Sequence, residues 1–245
     1  MHYEKSPIVE ALIDIKVEAS PEPQFESLQT LSSSLNDFYP RVETRMYAAG
    51  QFTFGAETKA TAEQKPYALM LFSRDDKQVV QARTDGISVS RLAPYTGWDA
   101  LSAEARKLWD MYHDFVRPAK VTRLAVRYIN QFMFPKNRIE VEDYLRTFPE
   151  LSHGLPTERR DMNAFLMRLS VPQPDLKGML QITETVNNAV QGTDVIPIVL
   201  DLELIVDGLT ITVDGELWSK LKELHARQAL YFEASITDRT RELIS

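Results

Sequence analysis

Val121-Thr122-Arg123-Leu124-Ala125-Val126-Arg127-Tyr128-Ile129-Asn130-Gln131-Phe132-Met133-Phe134 lies near the middle of a 245-residue chain and reads as one long β-strand. Alternate positions carry Leu124, Val126, Tyr128, Phe132 and Phe134, with Asn130 among them. The intervening positions carry Arg123, Arg127 and Gln131, interleaved with Val121, Ala125 and Ile129. Side chains on a strand project to opposite faces in turn, so one face here is apolar and the other holds two guanidinium groups.

Upstream, Pro7 to Glu18 alternates in the same way, with Val9, Ala11, Ile13, Ile15 and Val17 against Glu10, Asp14, Lys16 and Glu18. Ser20-Pro21-Glu22-Pro23 stops that strand. Phe25, Leu28, Leu31, Leu35 and Phe38 then recur at helical spacing up to Pro40. Residues 46–92 read as antiparallel strands. Tyr67 to Phe72 and Gln78 to Arg83 flank a polar turn, Asp85-Gly86 is a hairpin turn, and Thr58 to Lys65 is a polar loop. A helix from Trp98 to Val116 closes this part, and Arg117-Pro118 ends it.

Downstream the order repeats. Ile139 to Phe148 reads as a short helix, and Phe165 to Val171, Met179 to Val186 and Ile198 to Val206 as strands. Asp207-Gly208 begins a turn, and a terminal helical region carries Leu217, Leu221, Leu224, Phe232, Ile236 and Leu243. Trp98 and Trp218, 120 positions apart, each stand near the start of a long helix. The expected fold is α+β, an internal duplication of two tandem β-α-β-β-β-α halves whose antiparallel sheets pack against long helices. The halves are residues 1–118 and 119–245, one compact unit with its seam at Arg117-Pro118-Ala119-Lys120.

Composition narrows the chemistry. The hydrophobic share is 44% and the charged share 26%, as in an ordinary globular protein. Net charge is −7, and neither half is basic nor holds a Lys/Arg run, so nucleic-acid binding is not expected. Without cysteine there are no disulfides, thiolate zinc sites, iron–sulfur clusters or cysteine nucleophiles. No apolar run approaches the ~20 residues that span a bilayer, and the first residues lack a secretory pattern, so a soluble, cytoplasmic protein is expected. Glycine-rich phosphate loops, a G-x-S-x-G elbow and an H-E-x-x-H pair are absent from the sequence, and no metal or cofactor is expected. His2, His113, His153 and His225 are far apart, and His113 and His225 read as helix-surface residues late in their helices.

Two constellations remain. Arg123 and Arg127 could pair with Glu184, Asp201 or Glu203 on neighbouring strands, because unpaired buried charge is costly. Alternatively Arg123, Arg127 and Glu184 form an anion site, with two guanidiniums on a rigid strand gripping a phosphate or carboxylate. The second group is Ser90-Arg91-Leu92-Ala93-Pro94-Tyr95-Thr96-Gly97-Trp98-Asp99. Here Arg91, Tyr95 and Trp98, with Tyr128 and Asn130, line a pocket or staple the incoming strand to the helix.

These stretches carry a resemblance. Ser6-Pro7-Ile8-Val9-Glu10-Ala11, Ser90-Arg91-Leu92 with Pro94-Tyr95 and Trp98, Arg123-Leu124-Ala125-Val126-Arg127-Tyr128-Ile129-Asn130, and Leu224-His225 with Phe232-Glu233 and Ile236-Thr237 occur in order along nearly the whole chain. Together they resemble a sporadically distributed, uncharacterised family of bacterial and archaeal proteins of about this length, for which no activity or catalytic residue is established. Its patchy distribution implies horizontal transfer and points to mobile-element, defence or toxin–antitoxin contexts, an association rather than a mechanism. Two functions compete: a non-catalytic binding or interaction module with a protein partner, and an enzyme acting on a nucleotide or other phosphorylated small molecule. An open sheet edge or the long helices also offer a route to a homodimer.

Overall fold

The computed structural model describes residues 3–19, 23–53, 59–135, 140–154, 164–186, 195–212 and 214–245. Strand β6 (Lys120–Pro135) is hydrogen-bonded along both edges, to β1 (Ile8–Glu18) on one side and β9 (Val195–Ile211) on the other. Around this core the remaining strands are β2 (Arg41–Thr53), β3 (Lys59–Phe72), β4 (Gln78–Arg83), β5 (Gly86–Leu92), β7 (Phe165–Gln173) and β8 (Gly178–Val186). They form one nine-stranded sheet in the order β2-β3-β4-β5-β1-β6-β9-β8-β7. Every neighbouring pair is antiparallel.

One apolar row explains why the sheet is continuous. Val42, Leu71, Val80, Val89, Ile13, Val126, Leu204, Leu180 and Val171 stand opposite one another, one per strand, from edge to edge. Residues directly opposite share a face, so the period-2 pattern of each strand locks its register to the next. On that face lie α1 (Phe25–Ser34), α2 (Trp98–Val116), α3 (Asp214–Ser235) and α4 (Asp238–Ile244). Leu28 and Leu31, Leu108 and Trp109, and Leu217, Leu221 and Leu224 enter one core with the strands, and Ile244 joins Phe134, Leu200 and Leu202 in a second. Trp98 of α2 meets His225 of α3, and Arg106 of α2 lies over Trp218 of α3. The contacts run in opposite order along the two helices, so α2 and α3 lie antiparallel across the middle of the sheet. No described helix is long and apolar enough to cross a membrane.

Two tandem β-α-β-β-β-α halves are therefore not the architecture. One sheet dominates, and β1 of the first segment is sandwiched between β5 and β6. The first segment has a fourth strand after its helix, because residues from Lys59 onward, expected as a loop, pair with β2 as far as Thr53↔Lys59. In the second segment the helix expected over residues 139–148 is only a 3₁₀ turn, Val141–Asp143. Its backbone is claimed elsewhere: the Tyr144 carbonyl accepts from Thr237 N–H and Thr240 Oγ1, and Leu145 bridges to Ile236. The expected turn at Asp207-Gly208 is a bulge inside β9, where pairing jumps from Arg123↔Asp207 to Val121↔Ile211. That irregularity also turns Val121 into the helix-side core instead of the arginine face. The stop at Ser20-Pro21-Glu22-Pro23 lies mostly outside the described residues.

Two glycines test the close packing of the ladders. A Cβ at Gly86 would stand 2.3 Å from the Ile15 carbonyl oxygen, whereas one at Gly208 (φ +70) would meet open space. Gly86→Ala is expected to cost more than ~2 kcal/mol in urea unfolding, and Gly208→Ala about 1 kcal/mol from backbone strain alone. Equal losses would contradict the close approach of β5 to β1.

Candidate functional site

The face on which no described helix lies carries the charges. Asp14 of β1 is almost fully buried there, and its carboxylate accepts from Arg83 Nη2 at 2.7 Å, Ser88 Oγ at 2.5 Å and Arg123 Nη1 at 2.5 Å. Arg83 Nη1 also donates to Ser88 Oγ at 2.6 Å, and Arg123 Nη2 to Glu203 at 3.3 Å. Arg127 reaches diagonally past Glu203 to grip Asp201 with two parallel bonds of 2.9 and 2.6 Å. Arg123 and Arg127 thus project the same way, as expected, and each meets a carboxylate. This lattice floors an open depression of about 920 Å³ whose rim includes Lys16, Tyr47, Lys65 and Tyr67.

Glu184 is not among these groups. It stands opposite Leu200, which stands opposite Asn130, so it projects to the helix side, away from Arg123 and Arg127. Its carboxyl is fully buried, and neither oxygen has a hydrogen-bond partner. Burial alone pushes it up to about 7. Asn130, in the same row, is buried with its amide donated to the Leu200 carbonyl at 3.1 Å, a structural bond.

The second sequence constellation converges more closely. Tyr95 from the loop before α2, Trp98 at the start of α2, Tyr128 of β6 and His225 of α3 meet under the helices. Tyr95 Oη and Tyr128 Oη are 3.2 Å apart, and Tyr128 Oη is 2.9 Å from His225 Nδ1. Trp98 stacks on the imidazole with ring centroids 4.2 Å apart and planes 1° from parallel. Burial lowers the His225 pKa, opposed in part by Asp99, and raises that of Tyr128. A neutral imidazole has one donor and one acceptor nitrogen and a phenol can do either, so Nδ1, the Tyr128 hydroxyl and the Tyr95 hydroxyl form one chain in whichever sense the tautomer sets. This is a clip that joins the loop before α2, β6 and α3 by hydrogen bonds and α2 by the stacked indole. His225 falls in mid-helix rather than late in it, because α3 continues to Ser235; His113 does occupy the last turn of α2. Arg91 shares the row of Tyr128 with only Ala11 between them, but it lies half-buried with its Nε unpartnered, and its charge acts on Tyr39 and Asp75. His2 lies outside the described residues.

Among the described residues no group of three or more His, Asp or Glu could hold a metal ion. No family model matches the chain, and no curated protein matches it. Sequence reasoning missed Arg83, Ser88 and the rim tyrosines. Asp14 was visible as a polar position of β1, but only the register Asp14↔Ser88 and Lys16↔Arg123 brings its donors to it.

Asp14→Ala would leave two guanidiniums without their shared acceptor and is expected to cost about 3–5 kcal/mol in chemical denaturation. Arg127→Ala, at a side chain 38% exposed, should cost clearly less; the reverse order would deny Asp14 its place. Glu184 gives a pH signature. Its folded-state pKa is raised, so its contribution is fully present below the ordinary carboxyl range and is lost as pH rises through about 7. Stability of the wild type relative to Glu184→Gln should fall by up to about 3 kcal/mol between pH 4.5 and pH 8. A flat difference across that range would mean that Glu184 is ionised in the fold.

Proposed function

We propose that the protein is a non-catalytic binding module that engages a protein partner through its open sheet face. The observation that carries this reading is the depression of about 920 Å³ above a floor of ion pairs. A floor whose guanidiniums already hold Asp14, Glu203 and Asp201 is rigid and pre-organised, and pre-organised surfaces lose little conformational freedom on binding. Above it, Tyr47 and Lys65 are exposed at the rim. Tyrosine is enriched in protein interfaces, and charged side chains such as Lys65 suit their polar, solvent-accessible rim.

An enzyme acting on a nucleotide or phosphorylated small molecule draws less support. A phosphate would have to displace Asp14 or Asp201 from the arginines, and Glu184 is on the other side of the sheet. The resemblance to a patchily distributed family directs the search for a partner to the products of neighbouring genes.

The test is titration calorimetry of the chain against those products, with the double variant Tyr47→Ala/Lys65→Glu as the probe of the face. Expected is a complex that weakens at least tenfold in the variant while the thermal midpoint stays unchanged. A complex indifferent to both substitutions, or neighbours that all fail to bind, would remove the reading.

A further inference from the structure

Among the described residues the sheet has two open edges, β2 and β7, and they are not alike. Edge strands present unpaired backbone donors and acceptors, which proteins usually guard with charged side chains. On β2, Arg41, Glu43 and Arg45 do this, with Arg41 also bonded to Asp76 at 2.7 Å. On β7, Phe-Leu-Met-Arg-Leu-Ser-Val-Pro-Gln, the one charged residue is Arg168. Leu166 is 74% exposed there and Val171 38%. Among the described residues β7 pairs only with β8, and the helices leave Phe165, Met167 and Leu169 partly uncovered.

We propose that β7 is the dimerisation edge of this protein, and that its occupant is β7 of a second copy, antiparallel about a two-fold axis through Leu169. The sequence of the strand is self-complementary in that register. Leu169 meets the partner's Leu169, Met167 meets the partner's Val171, and Leu166 meets the partner's Pro172. Arg168 meets the partner's Ser170, so no guanidinium opposes its own copy. The side chains are already set for this: Gln181 of β8 accepts from both Ser170 and Arg168, at 2.8 and 3.4 Å, and holds them on the helix-free face. Pro172 withholds one donor only near the end of the strand. On the helix face, Met167, Leu169 and Val171 would be covered by their own counterparts, extending the apolar row that crosses the sheet. A two-fold interface of this kind is closed, so it yields a dimer and not a filament. The surface is separate from the rim that carries the proposed partner, and neither reading depends on the other.

The absence of cysteine from the chain supplies a direct test. In Leu169→Cys the only thiols are the two that meet on the axis. Opposed strand residues lie about 4.5–5.5 Å apart at Cα, within the range of about 4.4–6.8 Å that a disulfide spans. Expected is sedimentation of the wild type at twice its 28.0 kDa mass. Leu169→Cys should form a covalent dimer under air. The variants Leu230→Cys on exposed α3 and Met46→Cys on β2 should stay uncoupled over the same time. Leu169→Lys should sediment as one chain with an unchanged circular dichroism spectrum. A wild type that sediments as a single chain overturns the proposal. So does coupling of Met46→Cys or Leu230→Cys as fast as Leu169→Cys, or a Leu169→Lys variant that remains dimeric.

Discussion

Asp14 sits where β4, β5 and β6 come within reach of β1, and its buried carboxylate accepts from a side chain of each: Arg83, Ser88 and Arg123. A carboxylate taken out of water is costly unless its lone pairs are filled, and here three donors fill them. Those donors are then fixed in turn. Arg123 extends the network to Glu203 on β9, and Arg83 is held by Ser88. The cohesion of the helix-free face therefore runs through one residue of the strand that joins the two parts of the chain. Without that acceptor, two cations would face each other across β1, and the floor of the depression would not be pre-formed.

Glu184 shows the opposite solution to the same problem. It too is a buried carboxyl on the sheet, on β8 beside the edge strand, but it lies on the apolar helix face and accepts no hydrogen bond. Desolvation then acts unopposed and favours the protonated acid. The two acids differ in the face to which the pleat assigns them, and so in whether arginines or leucines surround them. That assignment comes from register alone, since Glu184 stands opposite Leu200 and Gln181 opposite Glu203.

How much of this was legible in the sequence follows from the range of each signal. Alternation is local, so β1, β4, β6, β8 and the apolar face of β6 were readable from their own residues, as was α2 to the residue. Which strands neighbour which is a non-local fact. The chain read as two tandem repeats because nothing in Ile8–Glu18 announces that it pairs with both Gly86–Leu92 and Lys120–Pro135. The polar run after Thr58 lacked an apolar face and read as a loop, yet its backbone pairs with β2. The 3₁₀ turn at Val141–Asp143 had helical spacing, but Thr237 and Thr240, about a hundred residues away, capture its carbonyl. The arginines were found and their facing predicted, whereas the acceptor Asp14 needed the register of three strands.

Three stretches far apart in the sequence meet in the clip. Tyr95, Trp98, Tyr128 and His225 come from segments up to 130 positions apart in sequence, yet a phenol–phenol–imidazole chain of 3.2 and 2.9 Å joins them beneath a parallel indole. Each link can reverse its donor and acceptor without losing a bond, because a phenol both donates and accepts. The clip therefore survives either tautomer of His225, and the stacking of Trp98 fixes the ring plane. A polar chain buried among apolar helices specifies position more sharply than apolar packing does, since any slip leaves a donor or acceptor unsatisfied. With α2 and α3 held antiparallel over β1 and β6, the helix layer is locked to the sheet at the strand pair where Asp14 locks the other face. The middle of the molecule is thus fastened on both sides of the sheet.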